Sequence, residues 1–271
     1  MLRLAYALKI LRTQGVRQPL ARVQLSVTLL RSAPIDTPMP AKVTGPAPDP
    51  AVVDRAADGV GWIAHPEETM ERAGHALATP DGVWLVDPLD AAGVEALVKS
   101  LGEVAGVVVL SNHHARDADA FARRHGVPVT LPRPMTGVAE DLDAPVERVA
   151  VGDALGGYEL LAVARTGSVW QEYALYDGAT LVVPESVGGA DYQRVGDERL
   201  GVMLLRRLTP PRDGLGDLAP ERVRCGHGPG VDEDAAAALE GALANARRRF
   251  PRALAAHGRK QAGTVLAALR S

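Results

Sequence analysis

The chain has 271 residues, a formal net charge of −3, 46% hydrophobic residues and 23% charged residues. That is the make-up of a soluble globular protein with room for one sizeable core. The mild negative charge and the lack of a basic stripe exclude a nucleic-acid binder, no apolar stretch is long enough to span a bilayer, and a single cysteine, Cys225, excludes disulfides and a cysteine-rich zinc site and fits a reducing cytoplasm.

Residues 1–50 stand apart from the rest. The first 34 carry six basic residues and no acidic one, and 35–50 hold five prolines. This composition predicts a disordered N-terminal extension, basic and then proline-rich, that ends in a linker. A domain is expected over 51–258, and 259–271 form a tail or a short helix.

Within the domain, residues 58–66 and 74–88 are apolar strand segments broken by the turn Pro80-Asp81-Gly82. "GVWLVDP" is a buried strand that ends in Asp87. Residues 90–102 form a helix, with Asp90 as its N-cap and Val94, Leu97, Val98 and Leu101 on one face. The strand "AGVVVL" (105–110) runs into "SNHHARD" (111–117). A short helix then follows, with Ala118, Phe121, Ala122 and His125 on one face, and "VPVTLP" (127–132) is the next strand. Residues 83–132 therefore read β-α-β-α-β, which implies parallel strands with helices packed on them. The second half changes character. "VERVAV", "YELLAVA", "EYALYD", "ATLVVP" and "GVMLLRRL" are short strands of a mostly antiparallel meander. Residues 210–220 form a loop, "RVRCGHG" (222–228) is a last strand, and Asp232 caps a helix that places Leu239, Ala242, Leu243 and Ala246 together.

In order and spacing, "DGVWLVDP", "GVVVLSNHHARD", "RTGSVWQEYALYDGATLVVPESVG" and "ERVRCGHGPG" resemble the metallo-β-lactamase fold over about residues 58–250. The resemblance implies an α/β (α+β) architecture: an αββα sandwich of two mixed sheets with helices on the outer faces. It also implies metal ligands on loops at one sheet edge, and a hydrolase with one or two metal ions. The family's H-x-H-x-D-H motif falls on Asn112, His114, Arg116 and Asp117, so only His114 is kept as such. The histidine of the G-H-T-x-G loop has no counterpart in "ARTGS" (164–168), the bridging aspartate falls on Glu185, and the last histidine falls on His227.

Such a ligand set cannot hold two ions, which need about six protein ligands. One divalent ion, zinc first among them, would be held by His114, Asp117, Glu185 and His227. The alternative is no metal at all. Asp87, Asn112, His113 and Arg116 line the same place. The guanidinium of Arg116 stands where the family has a carboxylate, and is expected to pair with Glu185, Asp117 or Asp87 in place of a metal's charge. Simpler readings stand beside these: Asp117 as a helix cap, Glu185 as a solvated loop carboxylate, Asp87 as a backbone brace, and His113 and His125 as ordinary polar residues. The resemblance thus implies a fold member with an eroded, degenerate metal site, non-catalytic or weakly active, that binds a small molecule or a protein partner. The competing reading is a mononuclear hydrolase of esters, thioesters or phosphodiesters that uses a metal-bound water.

Overall fold

A computed structural model describes residues 39–268, with side chains described through Gly258. Its first sheet begins one strand earlier than the alternation of the sequence suggested, at β1 (Ala51–Ala56). Then come β2 (Gly59–Ile63), β3 (Ala73–Thr79), β4 (Gly82–Val86), β5 (Val104–Val108), β6 (Val129–Pro132) and β7 (Val146–Val149). These seven strands lie side by side in chain order. Pairing is antiparallel from β1 to β4 and parallel from β4 to β7. The change of sense falls where helices begin to connect the strands, because parallel neighbours need a crossover. Helix α1 (Val94–Leu101) joins β4 to β5, α2 (Ala118–His125) joins β5 to β6, and the short α3 (Thr136–Glu140) lies before β7. The segment "VERVAV" therefore contributes an edge strand to this sheet and is not part of the second-half meander.

The second sheet contains β8 (Ala154–Leu155), β9 (Tyr158–Thr166), β10 (Trp170–Tyr176), β11 (Thr180–Val183) and, past the ladder of β12 (Val187–Gly188) with β13 (Gly201–Val202), β14 (Arg222–Cys225). Its order is β14-β11-β10-β9-β8. All neighbours are antiparallel except β11 and β14, which run parallel with Val183 opposite Cys225. Only Gly201–Val202 of the expected strand 201–208 is extended, and Leu205–Arg207 is a 3-10 turn. The expected loop 210–220 holds one helical turn, α4 (Arg212–Leu215).

Strand alternation sorts the apolar residues into layers. On β10 and β11, Tyr173, Leu175 and Val182 pack with Leu85, Val107 and Val108 of the first sheet. Their neighbours Ala174, Leu181 and Val183 join Val223 and Cys225 against Leu239, Ala242, Leu243 and Ala246 of the last helix, α5 (Ala235–Ala268). The outer face of the first sheet is covered by α1 and α2 through Val94, Val98, Phe121 and Ala122. The architecture is thus two mixed sheets face to face with helices outside. Helix α5 carries Pro251 and continues through most of the expected tail.

Two boundaries differ from the sequence reading. Residues 1–38 lie outside the described residues. The proline-rich stretch from Met39 onward has no helix or strand, yet it is bound to the domain. Pro40 and Ala41 carbonyls accept the N–H groups of Thr69 and Met70 at 2.8 and 3.2 Å, and the buried Ala47 accepts from Ala92 at 2.9 Å. Helix α1 starts after Gly93, not at Asp90, because Gly93 takes up the left-handed conformation at its N-cap.

Candidate metal centre

Three side chains converge at one end of the sandwich, where β11 and β14 stop and the loop after β5 turns. Glu185 lies two residues beyond Val183, and His227 two residues beyond Cys225, so the in-register parallel pair sets them side by side. His114 approaches from the other sheet on the turn that follows Leu110. His114 Nε2 is 2.7 Å from Glu185 Oε2 and 3.2 Å from His227 Nε2, and His227 Nε2 is 3.2 Å from the same carboxylate oxygen. All three residues are buried, with 3%, 7% and 0% of their surface exposed in the order His114, Glu185, His227.

The remaining ring nitrogens explain how the histidines point. His114 Nδ1 donates to Asp87 Oδ2 at 2.8 Å, and His227 Nδ1 donates to the Met70 carbonyl at 2.8 Å. With Nδ1 protonated on both rings, each neutral imidazole presents its bare Nε2 inward. Two lone pairs and a carboxylate oxygen then face one another at 2.7–3.2 Å. In that form the arrangement needs positive charge, from an ion or from a proton on one Nε2, to offset the repulsion among them.

The electrostatics without an ion favour a proton on the His114 ring, which competes with a metal for the same nitrogen. Burial and the Arg116 charge push the His114 pKa down, but Asp87 and Glu185 outweigh them and raise it. Burial alone would raise the Glu185 carboxyl. The charge of His227 and the bonds from both rings overcome that and hold it well below the carboxylate range. Two of the three separations, 3.2 Å each, are close to the roughly 3.3 Å between tetrahedral ligands at about 2.0–2.1 Å from zinc, and the 2.7 Å between His114 and Glu185 would open on binding an ion.

The other residues singled out in the sequence fall into place by their contacts. Asp87, with φ +46°, closes β4. Its Oδ1 accepts the Leu110 N–H at 2.8 Å while Oδ2 holds His114. It acts behind the cluster and not in it. Arg116, with φ +44°, turns its guanidinium back toward the centre. It donates to the carbonyls of Ala73 (2.6 Å), Asp87 (3.0 Å) and Gly226 (3.1 Å), and Nη2 lies 3.2 Å from His114 Nε2. The expected ion pair with Glu185, Asp117 or Asp87 does not form, because those carbonyls take its donors. The structure does not bring Asp117 into the cluster: its Oδ2 accepts the Asp90 N–H at 2.7 Å, which ties the α2 start to the loop before α1. Asn112 is a brace, with Oδ1 accepting the Gln171 N–H at 2.8 Å and Nδ2 donating to Ser168 O at 3.1 Å. His113 is exposed, reaches Val169 O at 3.1 Å and sits edge-on to Trp170. His125 stacks on Phe121.

Two features had no sequence signal. Tyr192 is buried edge-on to His227, ring centres 5.9 Å apart, and burial together with the Glu185 charge raises its phenol far above the ordinary value. Glu68, fully buried, takes three bonds from Arg72: from N at 3.1 Å, Nε at 2.7 Å and Nη2 at 2.8 Å. The pair fastens the loop whose Met70 carbonyl orients His227. Glu68 Oε2, which takes the Arg72 Nη2 bond, also accepts the Val43 N–H at 2.9 Å, so the strap from Met39 is part of the same support.

A two-sheet sandwich with outer helices, and a His/Glu/His cluster where strands of both sheets end, defines the class: the chain has the metallo-β-lactamase fold. Among solved structures, TMB-1 matches over 74% of this chain and 99% of its own, at 10% identity and a TM-score of 0.50. A metallo-β-lactamase from Pontibacter korlensis matches over 73% and 100%, at 17% identity and a TM-score of 0.47. One from Hirschia baltica matches over 72% and 97%, at 10% identity and 0.48. At such identities the likeness is one of fold alone. No family model matches the sequence, and no curated protein matches it. No helix among the described residues is long and apolar enough to cross a membrane.

Proposed function

We propose that this chain is a metallo-β-lactamase-fold protein whose site is reduced to a single buried metal centre of His114, Glu185 and His227, and that it serves as a non-catalytic binding protein. The observation that carries the reading is the convergence of two Nδ1-protonated imidazoles and one carboxylate oxygen within 2.7–3.2 Å of one another. A divalent ion there would supply positive charge and Lewis acidity, and zinc suits two imidazoles and a carboxylate.

The surrounding residues argue against turnover. Asp87 and the Met70 carbonyl lock both rings, and the carbonyls of Ala73, Asp87 and Gly226 hold the Arg116 guanidinium beside His114. That cation stands where the resemblance places a carboxylate, so a second cation is repelled from that side. Catalytic metal sites keep a position open to water and substrate. Three protein ligands would leave the fourth tetrahedral position without one, but all three are nearly inaccessible, so it is their burial that argues against substrate reaching an ion there. The protein's ligand is then a small molecule or a partner protein bound elsewhere on the fold.

The test is elemental analysis of the purified protein together with assays on esters, thioesters and phosphodiesters. One equivalent of metal is expected, lost in His114→Ala and in His227→Ala, with no turnover. Metal-free protein with both histidines intact overturns the metal centre. Hydrolysis that rises with metal occupancy overturns the non-catalytic reading in favour of a mononuclear hydrolase.

A further inference from the structure

Behind the centre lies a further buried carboxylate that makes no contact with the metal-ligating atoms. Glu172 on β10 is fully buried. Among the described residues no cation pairs with it; it is neutralised by donors alone. Its Oε1 accepts the backbone N–H groups of Glu185 at 3.1 Å and Ser186 at 2.6 Å. Its Oε2 accepts from the Ser186 hydroxyl and from Trp170 Nε1, the latter at 3.0 Å. Burial raises its carboxyl, against the pull of the Ser186 and Trp170 donors.

The backbone at the same position grips the opposite wall. Glu172 bridges to Ser111, Gln171 O accepts the Asn112 N–H at 3.1 Å, and Leu110 O accepts the Tyr173 N–H at 2.9 Å. Ser111 O in turn accepts the His114 N–H at 2.8 Å. The segment Gln171–Tyr173 therefore holds the turn that carries His114 through the main chain of the residues on either side of Glu172, while the Glu172 side chain holds the loop that carries Glu185. The register shift between Glu172 and Tyr173 against β9 lies at this same point, and such irregularities re-aim side chains beside functional sites.

We propose that Glu172 is a positioning residue that fixes the separation of His114 and Glu185 and so sets the affinity of the centre for its metal. The inference rests on the metal reading above. Groups that orient ligands without touching the ion typically change metal affinity about 10- to 100-fold when altered. Glu172→Gln keeps the size of the side chain but turns an amide N–H₂ toward groups that are themselves donors.

The experiment is zinc affinity by competition with a chromogenic chelator, on the full chain, beside thermal melting of the metal-free protein. The expected result for E172Q is an affinity about 10- to 100-fold weaker than wild type in protein that is folded at the assay temperature. Ser186→Ala, which removes only the hydroxyl donor, is expected to weaken zinc several-fold, and it decides the matter if E172Q does not fold. A purely structural role would lower the melting temperature and leave the affinity of the folded molecules unchanged. Folded variants that bind zinc as tightly as wild type overturn this inference alone. Wild-type protein that binds no zinc overturns the metal reading, and this inference with it.

Discussion

Arg116 Nη2 stands 3.2 Å from Nε2 of His114, two residues earlier in the chain. The positive φ of Arg116 makes this approach feasible by folding its side chain back over the turn. A fixed cation beside a proposed metal ligand would oppose the metal. Arg116→Ala is expected to bind zinc roughly tenfold more tightly. It should also be less stable by about 2–4 kcal/mol, because three carbonyls lose their donor. Chelator competition and urea unfolding of the metal-free protein separate the two effects; weaker zinc binding in the alanine variant would contradict the opposition.

Asp87→Asn tests the hydrogen bond behind His114. The amide either accepts weakly from Nδ1 or, flipped, forces the bare nitrogen outward and the N–H inward. Zinc affinity is expected to fall about 10- to 100-fold, with one equivalent still bound at saturating metal. Unchanged affinity would make Asp87 only a brace for Leu110.

The Glu68–Arg72 pair predicts a pH effect away from the ligands. Burial would raise the Glu68 carboxyl, but the bonds from Arg72 and Val43 outweigh it and lower its pKa below the ordinary 4.5. A depressed carboxylate stabilises the fold above its unfolded value, and that contribution fades as the pH falls through the folded value. Glu68→Gln should cost about 3–5 kcal/mol at neutral pH, since it leaves Arg72 buried without its counter-charge. Urea midpoints measured from neutral pH down through the range below 4.5 should fall less steeply for the variant than for wild type. Parallel curves would refute the assignment.

Gly228 follows His227 with φ +72°, and a Cβ there would lie 2.2 Å from Ala190 N. Its own N–H donates to Glu71 O at 2.8 Å. Gly228→Ala must shift the turn that carries His227, and a loss of about 3 kcal/mol or more is expected. Metal binding should fail in whatever fraction remains folded. A variant with wild-type urea midpoint and zinc stoichiometry would show that the turn is softer than its geometry implies.

Much of the scaffold was legible because strand burial and helix spacing are local signals. The run from Gly82 to Pro132 alternates as expected, and Phe121 and Ala122 on α2 face the core. His114, Glu185 and His227 come together as the resemblance implied. What failed to show depends on direction rather than position. Asp117 sits at a ligand's place in the motif, but its carboxylate turns to the Asp90 N–H. Arg116 has carboxylates in its neighbourhood, yet main-chain carbonyls claim its donors. The strap from Met39 read as a linker because proline-rich composition hides hydrogen bonds made by its carbonyls, such as those of Pro40 and Ala41. Glu68 and Arg72 gave no sign of burial, since charged residues four apart are usually solvated.

His114 and His227 are separated by 113 residues of chain, and His227 takes its place only when β14 lies along β11. A nascent chain that has released everything up to β13 has the whole first sheet and most of the second, but only two of the three ligands. Under the proposed metal reading, the full three-ligand centre exists only at the end of assembly, after the last strand has docked. Capture of the ion would then report, and reinforce, the completed union of the two sheets.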